Sequence, residues 1–289
     1  MILSTQNDLI ARTCGYIKSI EILSKAGYDA IDLSLFGTVA ADNFPFGDND
    51  INFARELGKI AEANGVFFNQ AHAPFASQKL GDDEYNKVMA EKIKRAIEIA
   101  CELKIRQIIV HPVCGFDNTP DCISYNLDFY NSLVPYYKGT GLKIAIENMW
   151  GHDGNRIVPN HFSLSHELNE CYDALDSEYF TVCLDLGHSP LVGEDPAEAI
   201  RAIGHDRLGA LHVHDVDGIN DLHTLPGVSK INWDEVCKAL AEIDYKGEFT
   251  YEADNFFRGF DKEFYPEVAA FMCKVGRSLI SKIESYKKA

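Results

Sequence analysis

Residues 181–190 read TVCLDLGHSP and residues 208–218 read LGALHVHDVDG. Each is a short apolar run that ends in side chains able to bind a metal or move a proton. Asp185 and His188 end the first, His212 and His214 the second. Working outward, the pattern repeats in FFNQAHAPF with His72, QIIVHPV with His111, KIAIENM with Glu147 and EFTYEAD with Glu252. The endings at His72, His111, Glu147, Asp185, His212 and Glu252 follow one another at 27 to 40 residues, with a helical stretch between each and the next. One carboxylate or imidazole at a strand end means little. Six in series imply a parallel barrel whose strand ends all point at one metal-bearing pocket.

The rest of the chain fits that reading. MILST, with Gln6 and Asn7 at its end, is a first strand, and AIDLSLF is a second in which Asp32 and Ser34 alternate with Ile31, Leu33 and Leu35. Amphipathic spacing and end signals predict helices over 16–27, 49–65, 82–104, 122–138, 163–175, 195–203, 232–243 and 265–286. The 82–104 helix is expected to turn Val88, Ile93, Ile97, Ala100 and Leu103 toward the sheet. Eight strand–helix units fit an α/β chain folded as one (β/α)8 barrel, a fold of about 250 residues, as a single domain over 1–289. A doubly wound open sheet needs neither eight units nor reactive groups on most strand ends. No G-x-G-x-x-G follows a strand and no P-loop occurs, so no nucleotide cofactor is expected.

Composition narrows the partners. A net charge of −17 and a pI near 4.9 repel phosphate backbones and anionic membrane surfaces, which argues against nucleic acid and membrane as ligands. A small neutral substrate, or one phosphate held by a few Arg or Lys, stays compatible. The amino terminus shows no basic stretch followed by an apolar one, and the eight cysteines form no C-x-x-C pair. Reduced thiols in a cytoplasmic chain are the expectation.

These residues resemble the xylose isomerase-like TIM barrel superfamily, which contains sugar isomerases, ketose 3-epimerases, inosose dehydratases and isomerases, and endonuclease IV. The marks are H-A-P-F at His72, H-P at His111, I-E-N at Glu147, L-D-L-G-H at Asp185 and His188, H-V-H-D from His212 to Asp215, D-L-H at Asp221 and His223, and Y-E at Glu252. They cover nearly the whole chain in the family's order. In the epimerase branch one divalent ion is held by a Glu, an Asp, a His and a Glu. The resemblance therefore implies Glu147, Asp185, His212 and Glu252 as ligands. In the endonuclease IV branch three zinc ions share nine ligands, and the resemblance then adds His72, His111, His188, Asp221 and His223. Many sugar-acting relatives keep those five as substrate contacts instead. The resemblance also implies a possible homo-oligomer.

Three carboxylates and one imidazole suit Mn²⁺, Co²⁺, Mg²⁺ or Zn²⁺ rather than a thiolate-bound ion. His188 is open to two readings, as a second metal ligand or a donor to a sugar hydroxyl. Asp221 and His223, two residues apart, reach the same side of an extended segment and can chelate one ion. His214 shares the strand face of His212, and Asp215 is expected to orient His212 or touch substrate. Arg156 and Arg258 are expected near a substrate phosphate or hydroxyl, and Trp150 near a sugar ring.

The function these features favour is a divalent-metal-dependent sugar, sugar phosphate or cyclitol isomerase or epimerase. It would work by proton transfer through a metal-stabilised enediolate, with Glu147 and Glu252 as the proton-transfer pair. The alternatives are an endonuclease IV-like phosphodiesterase and a keto-sugar or inosose dehydratase. The stretch after Glu147, NMWGHDGNR, offers no clear counterpart of the substrate-gripping Arg of the ketose 3-epimerases.

Overall fold

A computed structural model of the chain describes residues 1–36, 47–116 and 118–288. The strands, in chain order, are β1 (Leu3–Gln6), β2 (Ala30–Ser34), β3 (Phe67–His72), β4 (Gln107–Ile109), β5 (Lys143–Glu147), β6 (Gly151–Asp153), β7 (Arg156–Val158), β8 (Phe180–Asp185), β9 (Leu208–His212) and β10 (Phe249–Tyr251). The helices are α1 (Asp8–Cys14), α2 (Tyr16–Ala26), α3 (Asp50–Ala63), α4 (Asp83–Glu102), α5 (Thr119–Leu133), α6 (Ser165–Asp173), α7 (His188–Leu191), α8 (Pro196–Ile203), α9 (Trp233–Glu242) and α10 (Tyr265–Tyr286).

Eight of the strands form one parallel sheet in the order β10-β1-β2-β3-β4-β5-β8-β9. A parallel bridge between Val213 and Tyr251 brings the last strand back to the first. The result is a nearly closed (β/α)8 barrel. Strands buried on both faces favour apolar residues, and each carries some, although polar residues such as Ser4, Gln6, Asp32, Asn69 and Gln70 are buried among them. Their outer faces meet helix stripes such as Ile20 and Leu23 of α2 and Ile93 and Ile97 of α4, all buried. Their inner faces carry small apolar residues, with Ile109, Ala145, Cys183 and Ala210 packed together. Beside these runs a buried polar chain. Gln107 Nε2 donates to Gln70 Oε1 (3.2 Å), and Gln70 Nε2 donates to Asp32 Oδ2 (2.9 Å). Buried polar groups of this kind persist because each finds a partner.

Several expectations shift. A short helix, α1, precedes α2 where only a loop was read, because DLIARTC spans two turns with too few apolar positions to show a period. The helix expected over 122–138 begins at Thr119 and gives way at Leu133 to a 3-10 turn, Val134–Tyr136, where Pro135 has no N–H to donate. Val88, expected against the sheet, is 53% exposed. Five residues at 3.6 per turn place it about 140° around the helix from Ile93, and Met89 takes the core position instead. Residues 151–158 form an antiparallel hairpin, β6–β7, that the sequence reading lacked. Among the described residues no helix is long and apolar enough to cross a membrane.

Candidate metal centre

The carboxyl ends of the strands deliver their reactive side chains to one mouth of the barrel. His72, Glu147, Asp185 and His212 are the last residues of β3, β5, β8 and β9, and Glu252 follows β10 by one residue. All five are buried. His212 Nδ1 lies 2.7 Å from Glu147 Oε1, 2.9 Å from Glu252 Oε2 and 3.9 Å from Asp185 Oδ2. The sequence-predicted quartet is thus brought together, with one donor atom of each residue within 4.8 Å of the others.

Two further groups adjoin it. His72, His111 and Glu147 form one: His111 Nε2 is 2.9 Å from His72 Nε2 and 2.8 Å from Glu147 Oε2. His188, His214, Asp221 and His223 form the other: His223 Nε2 is 3.1 Å from Asp221 Oδ2, and His188 Nε2 is 3.7 Å from it. A further trio, Asp32, His72 and His212, links them, so Glu147, His72 and His212 each belong to two groups, and His214 Nε2 reaches Asp185 at 2.8 Å.

The motifs have local causes. In L-D-L-G-H, Asp185 Oδ1 accepts from the backbone N–H of Gly187 (2.7 Å) and of His188 (2.8 Å), which turns the chain sharply and aims His188 inward. Gly187 must be glycine for a second reason: a Cβ there would fall 2.0 Å from Cε1 of His214. In I-E-N, Asn148 and the Asp185 backbone exchange two hydrogen bonds, with Asp185 N–H donating to Asn148 Oδ1 (2.7 Å) and Asn148 Nδ2 donating to Asp185 O (3.0 Å). His188 Nδ1 also donates to the Asn148 carbonyl at 2.8 Å, leaving Nε2 facing the cavity group. His223 takes φ +43°, a left-handed conformation that costs a side-chain-bearing residue. Its ring is held by Nδ1 donating to Glu252 O (2.8 Å) and by stacking on His214 at 4.0 Å.

The donor set fits a divalent cation. Three buried carboxylates converging on one point repel one another unless a positive charge sits among them. Their donor atoms lie 2.7–3.9 Å from His212 Nδ1 and within 4.8 Å of one another, near enough for one ion to reach all four residues. Asp221 Oδ1 and His214 Nδ1 are buried with no hydrogen-bond partner among the described residues, as atoms reserved for a ligand would be. With no cation, protons take its place. Burial disfavours charge on His188, but Asp185 and Asp221 push it up to about 10. Burial likewise opposes protonation of His212, yet Cys183, Glu252 and Glu147 hold it well above its ordinary range. His223 moves the same way, against burial, through Asp221 and Glu252. His72 differs, since burial pushes it down to about 3. Glu147, despite burial, is held well below the usual carboxylate range by His212 and His111, and Glu252 by His212 and His223.

A cavity of about 250 Å³ opens on this cluster. Glu147, Glu252 and His188 line its polar side, Phe36, Phe75 and Trp150 its apolar side, and Arg12 and Arg258 also border it. Two expectations are corrected. Arg156 is exposed on β7 and does not line this cavity. Asp215 is fully buried and its oxygens accept from the backbone N–H groups of Gly227, Ser229 and Ile231 and from Trp233 Nε1, so it anchors the 216–233 loop rather than facing substrate. Three neighbours escaped the sequence reading. Gln6 Nε2 donates to Glu252 Oε1 (2.9 Å); Gln70 Nε2 lies 3.0 Å from His212 Nε2; Asp32, pushed by burial up to about 7, lies 3.7 Å from the same nitrogen. Only Asp32, a carboxylate within AIDLS, stood out locally; Gln6 and Gln70 sit beside other polar strand residues.

Comparison with known proteins follows the same line. A family model described as xylose isomerase-like TIM barrel matches residues 20–274. A D-psicose 3-epimerase of Enterocloster bolteae is 33% identical over 248 residues, covering 82% of this chain and 76% of that protein. An uncharacterised protein of Methanocaldococcus jannaschii is 28% identical over 248 residues, covering 82% and 78%. Among solved structures, a D-psicose 3-epimerase with D-tagatose from Clostridium cellulolyticum superposes with a TM-score of 0.72 at 20% identity, over 96% of this chain and 99% of that one.

Proposed function

The chain belongs to the xylose isomerase-like TIM barrel family, and from that premise we propose that it is a divalent-metal-dependent sugar isomerase or epimerase. The observation that carries the proposal is the position of Glu147 and Glu252. They approach one imidazole, His212, from two strands three barrel positions apart, and both line the same cavity. A carbon acid held between two carboxylates can lose its proton to one and regain it from the other side.

The ion would be held by Glu147, Asp185, His212 and Glu252. When bound it supplies Lewis-acid polarisation of a carbonyl oxygen, and Mn²⁺, Co²⁺, Mg²⁺ and Zn²⁺ all suit the donor set. Glu147, held ionised, takes the proton from the carbon beside the sugar's carbonyl. The C–H electron pair becomes the new C–C π bond while the carbonyl pair moves onto oxygen. Return of a proton from the Glu252 side gives the epimer, and its return at the neighbouring carbon gives the aldose–ketose isomer. Glu147 then holds the abstracted proton, and His188, which lines the same cavity, is the relay that takes it up and releases one to the other face. His72 and His111 pack against the rings of Phe36 and Phe75, which give the cavity its apolar side. A dehydratase would share the first of these steps.

A second reading is favoured by one observation: all nine residues that the endonuclease IV resemblance implies as ligands fall within adjoining clusters of possible metal ligands, which His214 and Asp32 also join. That is the arrangement expected of an endonuclease IV-like phosphodiesterase. The charge of −17 opposes it, because a DNA backbone must be attracted before it is cut.

The test is incubation of metal-loaded protein with D-psicose, D-tagatose and D-fructose in D2O. The proposal expects deuterium beside the carbonyl of at least one ketose, abolished by EDTA. No exchange into any ketose, together with cleavage of abasic duplex DNA, would replace it with the second reading.

A further inference from the structure

The cavity above the cluster does not end at its apolar wall. A second cavity of about 490 Å³ shares Phe75, His111, Met149 and Trp150 with it and continues outward along Leu80, Pro112 and Cys114. The first cavity alone is below the ~300–1,000 Å³ of sites for larger organic ligands, whereas the two together reach it. Building on the proposed function, we infer that the substrate is a sugar carrying an apolar substituent, which lies in this annex while the sugar's reacting carbons lie over Glu147 and Glu252.

Three observations support the inference. Phe75 and Leu80, 53% and 44% exposed, both line the outer cavity and offer a substituent apolar surface there. The loop that presents them is held rigid. Ser77 Oγ donates to His111 O (2.7 Å), Tyr85 Oη donates to Ala76 O (2.7 Å), and Asn86 accepts from Lys79 N–H (2.7 Å) while donating to Lys79 O (2.8 Å). The charge of Lys79 is drawn onto the Tyr85 ring, 4.1 Å from its centroid. A surface already ordered loses little entropy when it binds an apolar group. Finally, Trp150 walls both cavities, so an apolar lining runs from the first into the second.

The experiment compares 6-O-benzyl-D-fructose with 6-O-methyl-D-fructose, titrated calorimetrically into the metal-loaded protein and into its Leu80→Asp variant. Leu80 lies outside the catalytic cluster and is half-exposed, so the variant is expected to fold and to bind the methyl ether unchanged. The inference expects the benzyl ether to bind at least tenfold more tightly than the methyl ether, and that ratio to fall below threefold in Leu80→Asp. Equal binding of the two ethers, or a ratio that survives Leu80→Asp, overturns the annex and leaves the proposed function standing. Binding of neither ether overturns both.

Discussion

His72 and His111 meet nitrogen to nitrogen, Nε2 to Nε2, at 2.9 Å, and the same His111 nitrogen lies 2.8 Å from Glu147 Oε2. Two imidazole nitrogens that close can share one proton at most. His111 Nε2 has one position to offer both His72 and Glu147, so three donor atoms crowd a point that one proton cannot serve, as atoms gathered around a cation do.

Ion binding should release protons. In the metal-free protein His188 is pushed up to about 10, and His212 and His223 lie above their ordinary range, so these imidazoles carry protons at pH 7. A metal takes the lone pair, so the proton must leave. Apparent affinity for Mn²⁺ or Zn²⁺ therefore rises with pH across the neutral range, and calorimetric enthalpies vary with the buffer's heat of ionisation by at least one proton per ion. Enthalpies independent of buffer would contradict the assignment.

Glu147→Gln and Glu252→Gln each remove a proton acceptor while keeping shape. Deuterium exchange into the substrate ketose should fall by roughly 10²–10⁴-fold in either variant. An exchange rate within threefold of the unmodified protein would remove that residue from the proton-transfer pair.

Gln70→Leu leaves every proposed ligand in place but takes away the side chain beside His212 Nε2. Its expected effect is a ~10–100-fold loss of ion affinity, as for other residues that orient a ligating histidine, read by competition with a chromophoric chelator. Unchanged affinity would mean that the ring is held by its carboxylate partners alone.

Gly187→Ala drives a methyl group into the His214 ring, 2.0 Å from its nearest carbon. A rigid neighbour on both sides should make this cost ~1–3 kcal/mol in thermal unfolding, with loss of any ion bound by His188, His214, Asp221 and His223. A variant as stable as the original would show that His214 has another place to go.

The sequence revealed the barrel because six apolar runs in series each ended in a side chain that apolar runs seldom carry. Asp221 and His223, in the loop after β9, were legible only through the resemblance of D-L-H to the family's motif. Residues placed by distant parts of the chain were not. Asp215 reads like a site residue, sitting next to His214, until the backbone of Gly227, Ser229 and Ile231 folds over it. Arg156 follows β5 in sequence but leaves with the β6–β7 hairpin, whose six strand residues are too few for a period to show. Gln6, Asp32 and Gln70 matter only because three separate strands turn them toward neighbours at the barrel mouth, a convergence that no local pattern encodes.

The central claim is that Glu147, Asp185, His212 and Glu252 enclose one cation at the mouth of the barrel. Crystals grown with MnCl2 and measured at the manganese edge test it most directly. The account predicts an anomalous difference peak in bonding contact with all four side chains. A fully loaded protein whose manganese peak lies away from them would contradict it.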